Sequence, residues 1–338
     1  MSRRVPRLDS GAESLLAEDA AEHKADHALR ARRMLDRMRR MTSGARRREA
    51  VIARVAARLG FDPATISALH ARDYETCKKQ ITAQRRAVHR EVRRRMTEQR
   101  ALLRHVLENR ERFEWRAGNP VTNVCVWQTS VAPVATVESD AGGGGSVNLN
   151  PAAQGMNPTA GANRITLGAA CSGMSLLTLR THHRFEATAP HGGILSVAAF
   201  FAPVGSFALT AAGACFGSPG FSMMDLRARV KVRLRSAAGD VIRTPNPAFS
   251  LILHHQTEAG CEADAQAGAF NLDADAFEAR RPAVANVNDG DRIIVTAQYN
   301  LLVETVTLDG ESGAEADLDL SGNGHGLNVP VVLMTIED

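Results

Sequence analysis

The apolar positions of the chain change their spacing near Gly118, from a period close to 3.6 to one close to 2. Before that point Ser10-Gly11-Ala12-Glu13 has capping-box spacing, and Leu16, Ala20, Ala28, Ala31, Leu35 and Met38 follow near helical intervals, predicting a helix to Met41. Thr42-Ser43-Gly44 interrupts the pattern, and a second helix is predicted from about Arg46 to Leu59, closed by Gly60 as a C-cap. Asp62-Pro63 restarts the chain, because Asp caps and Pro suits the first helical position. A third helix is predicted nearly to Trp115, with Tyr74, Cys77, Ile81, Val88, Val92, Met96, Leu103, Val106 and Phe113 on one face. Positions 92, 96, 99, 103, 106, 110 and 113 alternate by four and three, a heptad stripe that predicts a coiled coil or helical hairpin. Gln99 and Arg110 fall on that stripe, so Gln99 needs a hydrogen-bonding partner and Arg110 a carboxylate or a path out along its apolar stem.

Beyond Gly118 the predicted strands are Val121–Trp127, Arg164–Ala169, Leu176–Ala187, Ile194–Ala202, Arg227–Arg235, Val241–Arg243, Phe249–His255, Arg292–Leu302 and Val329–Ile336. Ser236-Ala237-Ala238-Gly239-Asp240 reads as a hairpin loop between two of them. Residues 139–163, rich in Gly, Asn and Ala and containing Gly142-Gly143-Gly144-Gly145, bury too little apolar surface to order themselves and are expected to form a flexible loop. Val124, Val126, Trp127, Val131, Val134 and Val137 need a core, which puts that loop inside the second domain. The fold expected is segregated α+β: a basic helical domain over 1–117 and an antiparallel β-sandwich of jelly-roll type over 118–338.

Charge sharpens the division. The net charge of +4 conceals 29 Lys+Arg against 16 Asp+Glu up to Gly118, and 12 against 21 after it. Only Lys24, Lys78 and Lys79 are lysines in the basic half, so its cations are guanidiniums suited to carboxylate or phosphate. Arg46, Arg47, Arg48, Arg72, Arg85, Arg86, Arg93, Arg94 and Arg95 are the candidate contacts to nucleic acid or to an acidic protein surface. The same runs read equally as a solvated helical face, with Asp36–Arg40 and Glu91–Arg95 taking up charge at i,i+4. A third reading docks the basic arm on the acidic domain of a neighbouring copy. Five cysteines without a CxxC pair read as reduced, mostly buried thiols. No apolar run suits a signal peptide or a membrane span, which fits a cytoplasmic location, export without a cleaved signal, or incorporation into a larger particle.

Residues 51–69, VIARVAARLGFDPATISAL, resemble a helix-turn-helix unit in form, with Ala56, Gly60, Ile66 and Leu69 at its small, turn and core positions. The resemblance implies DNA reading, yet the second helix offers no Arg, Asn or Gln before Arg72. A basic arm ahead of a sandwich also resembles the layout of many capsid subunits. In the β-rich half, His182-His183-Arg184-Phe185-Glu186 and His254-His255-Gln256-Thr257-Glu258 repeat a His-His-x-x-Glu grouping. His183 and His255 are the metal candidates, with His191 or His325 as further ligands, although the His-x-His spacing of double-stranded β-helix metalloenzymes is absent. Asn271-Leu272-Asp273-Ala274-Asp275 alternates oxygen donors as calcium loops do, but Ala276 replaces the turn glycine and Pro282 the closing glutamate.

GxSxG, HExxH, Walker A and helix-opening GxGxxG motifs are all missing. The sequence therefore points to a non-enzymatic structural or interaction protein without a cofactor. Its helices would self-associate through Val92, Met96, Leu103, Val106 and Phe113, and its sandwich would present a binding surface. Nucleic-acid binding by the arginine-rich helices is the alternative, and a metal-dependent β-sandwich enzyme a weaker third.

Overall fold

The computed structural model describes residues 10–62, scattered positions from 64 to 101, and 121–127, 134–150, 164–213, 219–236, 241–243, 250–259, 263–270, 278–308, 312–320 and 326–337. One long helix, α1 (Ser10–Arg58), precedes the strands. These are β1 (Val121–Trp127), β2 (Val134–Asn150), β3 (Arg164–Thr188), β4 (Gly193–Val204), β5 (Ser206–Ala212), β6 (Gly220–Arg235) and β7 (Val241–Arg243). They continue with β8 (Ser250–Ala259), β9 (Ala263–Ala269), β10 (Glu278–Val287), β11 (Arg292–Val306), β12 (Gly313–Asp319) and β13 (Gly326–Glu337).

The strands form two antiparallel sheets, as the alternating pattern predicts. The smaller has the order β1-β13-β4-β10. The larger runs β7-β6-β11-β3-β12-β5-β9, with β2 along the other edge of β3 and β8 beside β6. Their inner faces bury one core, in which Phe185, Phe201, Tyr299, Val295, Leu195 and Met334 are almost fully enclosed. The Tyr299 hydroxyl donates to the Asn328 carbonyl at 2.8 Å, joining β11 to β13 across the sandwich.

β3 organises the larger sheet. Its first part pairs with β12 and its second with β11, while β2 follows both along the opposite edge. The strands predicted separately at Arg164–Ala169 and Leu176–Ala187 are thus one strand with a bend. The bend lies at Ser172, whose φ of 62° is unusual for a residue with a Cβ, and Gly173. Thr307 fixes it, its amide donating to the Gly173 carbonyl at 2.9 Å while its Oγ1 accepts from the Gly173 amide at 3.0 Å.

The same bend overturns the expectation of a flexible loop for residues 139–150, which belong to β2 and are paired along β3. The glycines order this segment by removing Cβ atoms, without apolar burial of their own. A Cβ on Gly144 would lie 1.8 Å from the Ala170 carbonyl oxygen, and one on Gly145 equally close to that of Met174. Residues 151–163 lie outside the described part.

The predicted break at Thr42-Ser43-Gly44 is also absent, and the first two predicted helices are the single helix α1. Backbone hydrogen bonding continues through the short polar residues there, since propensity alone does not end a helix. The predicted cap at its end is present: Gly60 has φ of 81°, the Phe61 amide donates to the Ala56 carbonyl, and the Gly60 amide to that of Ala57. Asp62 caps the next helical stretch through the Ala64 and Thr65 amides.

β6 and β7 pair as the predicted hairpin, whose loop at 237–240 lies outside the described residues. β5, β9 and β10 are unforeseen, and of β12 only Asp317-Leu318-Asp319 has a recognisable strand pattern. ADAQAGA is built from small residues of low strand propensity, SFALTAA has only Phe207, Leu209 and Thr210 among small residues to mark it, and both are held by their neighbours. The five cysteine side chains and the segment 271–275 lie outside the described residues.

Candidate functional site

α1 lies across the outer face of the larger sheet, and the surface it buries is charged. Asp19, His23, His27, Ala31 and Met34, spaced by four, four, four and three, are the buried positions of its docked part, and Ala56 near its end is buried as well. The first three carry no apolar signal, which is why the sequence reading misses them. Leu29 and Leu35 face solvent. Beneath the second half of the stripe, Ala31, Met34 and Met38 meet Met174, Leu176, Leu302, Met223 and Val306 in a small apolar core separate from that of the sandwich.

Beneath the first half, the sheet offers Arg180 and His182 of β3, Arg229 and Lys231 of β6, and Gln298 of β11, all buried. Alternation along the strands brings them to one face, while His183 and Phe185 turn inward. Asp19 is in direct ionic contact with Lys231 and accepts from Gln298 Nε2 at 3.4 Å. Glu22 approaches Arg229 at 3.3 Å and Lys231 at 3.4 Å, and Asp26 approaches Arg180 at 3.3 Å. The Arg180 Nε also donates to Asn300 Oδ1 at 2.9 Å and its Nη1 to the Asp19 carbonyl at 3.3 Å. His27 lies between Thr178, at 2.8 Å, and Asp140, at 3.1 Å, while His23 meets Thr136 at 2.9 Å.

The electrostatics follow from this enclosure. Burial would raise the Asp19 carboxyl, but the hydrogen bond and charge of Lys231 outweigh it and hold the group below its ordinary range. Glu22 is lowered in the same way, with Lys231, Arg180 and Arg229 overcoming its burial. His23 and His182 are pushed down to about 4, first by burial and then by neighbouring cations, chiefly Arg180. Both rings are therefore neutral near pH 7, and Gln298 Nε2 donates to the free Nδ1 of His182 at 2.8 Å. Within the chain this contact runs against the overall charges of the two parts. The acids of the basic arm meet the bases of the acidic domain.

The metal candidates are not brought together. His183 is enclosed in the core edge-on to Tyr299, with ring centroids 6.2 Å apart, and burial lowers it to about 4. His255 stacks on Phe207 at 4.3 Å and meets Gln266. Through the strand registers, His183 aligns with Val230 of β6 and His255 with Met224, about 20 Å apart along that strand. Among the described residues no group of three or more His, Cys, Asp or Glu could hold a metal.

Past Met38, α1 projects from its docking face. The helix is about 73 Å long, and the segment from Asp19 to Met38 accounts for about 30 Å of it. Val51 and Val55 near its end, and Leu59, Phe61 and Leu69 beyond it, are 46–69% exposed. Arg72 and Arg94 are exposed helical positions. The side chains of Arg46, Arg47, Arg48, Arg85, Arg86, Arg93 and Arg95 lie outside the described residues, as do Val92, Met96, Leu103, Val106 and Phe113. Asp36 pairs with Arg39 at 3.8 Å and its carbonyl accepts from the Arg40 Nε at 3.2 Å. No described helix is long and apolar enough to cross a membrane.

No protein-family profile and no curated protein matches the chain. Among solved structures it is similar to a carbohydrate-binding module in complex with β-1,4-galactotriose, at 12% identity over 60% of this chain and 88% of that one, with a TM-score of 0.13. A family 11 carbohydrate-binding module of a cellulosomal cellulase of Clostridium thermocellum matches at 11% identity over 64% and 95%, with a TM-score of 0.15. A bacteriophage CBA120 tailspike protein matches at 10% identity over 60% and 19%, with a TM-score of 0.17. At these scores no ligand is carried over to this chain; what stands is an antiparallel β-sandwich with a helix docked on its outer face.

Proposed function

We propose that the chain is a non-enzymatic assembly protein, in which the sandwich is a platform and the helical arm joins it to further copies of itself. The observation that supports this reading is the exposed apolar row on the arm. Val51 and Val55 of α1 and Leu59 just past its end recur at four-residue intervals, beyond the segment tied to the sandwich. Two such rows laid together bury what one leaves in water, and the charged seam under α1 gives the arm a fixed root.

Light scattering after size exclusion tests this on the full chain and on a Val55→Glu, Leu59→Glu variant. A defined oligomer that the paired substitutions reduce to monomer is the expected result. A full chain that is monomeric at high concentration overturns it. Cutting the chain at residue 119 is not a clean comparison, because it would strip Arg180, Arg229 and Lys231 of their carboxylate partners.

Exposed Arg54, Arg58, Arg72, Lys79 and Arg90 on the same arm support nucleic-acid binding as a second reading. Titration of labelled duplex and single-stranded DNA at low salt tests it, and absence of binding to both removes it.

A further inference from the structure

A cleft of about 240 Å³ opens between α1 and the larger sheet, just past the charged seam. Its floor is apolar: Met34 and Met38 of α1, Phe221 of β6, Val306 at the end of β11, and Leu308. Its helix wall carries Arg30, Arg33 and Arg37 at intervals of three and four, so three guanidiniums line one edge. The opposite wall carries Glu258 of β8 and Glu304 of β11. Burial raises the Glu304 carboxyl above its ordinary value, against the pull of Arg30 and Arg37.

We propose that this cleft binds a small amphiphilic monoanion, a medium-chain carboxylate in chemical class. Three cations against two carboxylates leave a site that one further negative charge neutralises. Like charges at i,i+3 and i,i+4 repel, and an anion among the guanidiniums relieves that repulsion through forked hydrogen bonds. The apolar body of the ligand lies on the methionine and phenylalanine floor, where unbranched Met side chains adapt to its shape. The volume is below the roughly 300 Å³ at which sites for drug-sized ligands begin, which selects a short chain over a whole lipid. The site does not depend on the assembly reading, since it lies within one chain.

Calorimetric titration of the full chain with octanoate, octanol and butanoate tests the proposal, beside an Arg33→Gln, Arg37→Gln variant. One octanoate per chain is expected to bind saturably, with octanol and butanoate at least tenfold weaker. The variant is expected to lose at least tenfold in octanoate affinity with its melting temperature and circular dichroism unchanged. Equal binding of octanol, an unaffected variant, or no saturable octanoate binding below its micellar range overturns the proposal. So does sedimentation with phosphatidylglycerol vesicles by a chain that does not bind octanoate.

Discussion

Asp19 on α1 and Lys231 on β6 stand 212 residues apart in sequence and meet in a buried ionic contact. Removing Lys231 leaves the Asp19 carboxylate enclosed without its cation, at a cost of about 3–5 kcal/mol, whereas removing Asp19 leaves Lys231 the half-exposed Glu22 at 3.4 Å. Lys231→Met is expected to destabilise by about 3 kcal/mol or more and Asp19→Leu by less, and the double variant to recover most of the larger loss. Urea unfolding of the full chain measures all three. Strictly additive losses would show that the two side chains do not act as a pair.

Acid should loosen the protein before it protonates Asp19 and Glu22. His23, His182 and His183 titrate near 4 in the folded chain against an ordinary 6.5. Between these values the unfolded chain takes up protons that the folded chain refuses, so stability falls as pH drops from about 6.5 to about 4. Each histidine contributes at most about 3 kcal/mol to that fall. Asp19 and Glu22, held below their ordinary values of 3.8 and 4.5, add a further loss at still lower pH. A melting temperature flat from pH 7 to pH 4.5 would contradict this account.

The tetraglycine makes a sharper claim. Gly144→Ala and Gly145→Ala each drive a Cβ into a carbonyl oxygen of β3 and are expected to destabilise by about 2 kcal/mol or more. Gly142→Ala places its Cβ in ordinary contact with Met174, 3.4 Å away, and should cost less than 1 kcal/mol. Thermal melts of the three variants decide between a built strand and a flexible loop, which would tolerate all three alike.

The sandwich was legible because Arg164–Ala169, Arg227–Arg235 and Arg292–Leu302 alternate in the pattern a two-layer core requires. Ala263–Ala269 was not, because its small side chains specify no face. The docking face of α1 was hidden for a different reason. Asp19, His23 and His27 read as solvent-facing until the arginines and lysine of distant strands are placed beneath them, and only the fold does that. The spacing that marks the burial stripe was present throughout, but in residues that an apolar pattern does not count.

The separation of α1 from its partners along the chain has a consequence during synthesis. At the usual pace of translation, roughly ten to forty seconds pass between the making of Asp19 and that of Lys231, and Gln298 follows later still. Throughout that interval the acidic edge of the segment that becomes α1 has no cations of its own sheet to rest on. On a polysome, the completed sheet of the chain ahead offers the cations that edge is shaped for. Exchange of α1 between successive chains is thus the misassembly this topology favours, and the speed at which β6 and β11 close on their own helix is what opposes it.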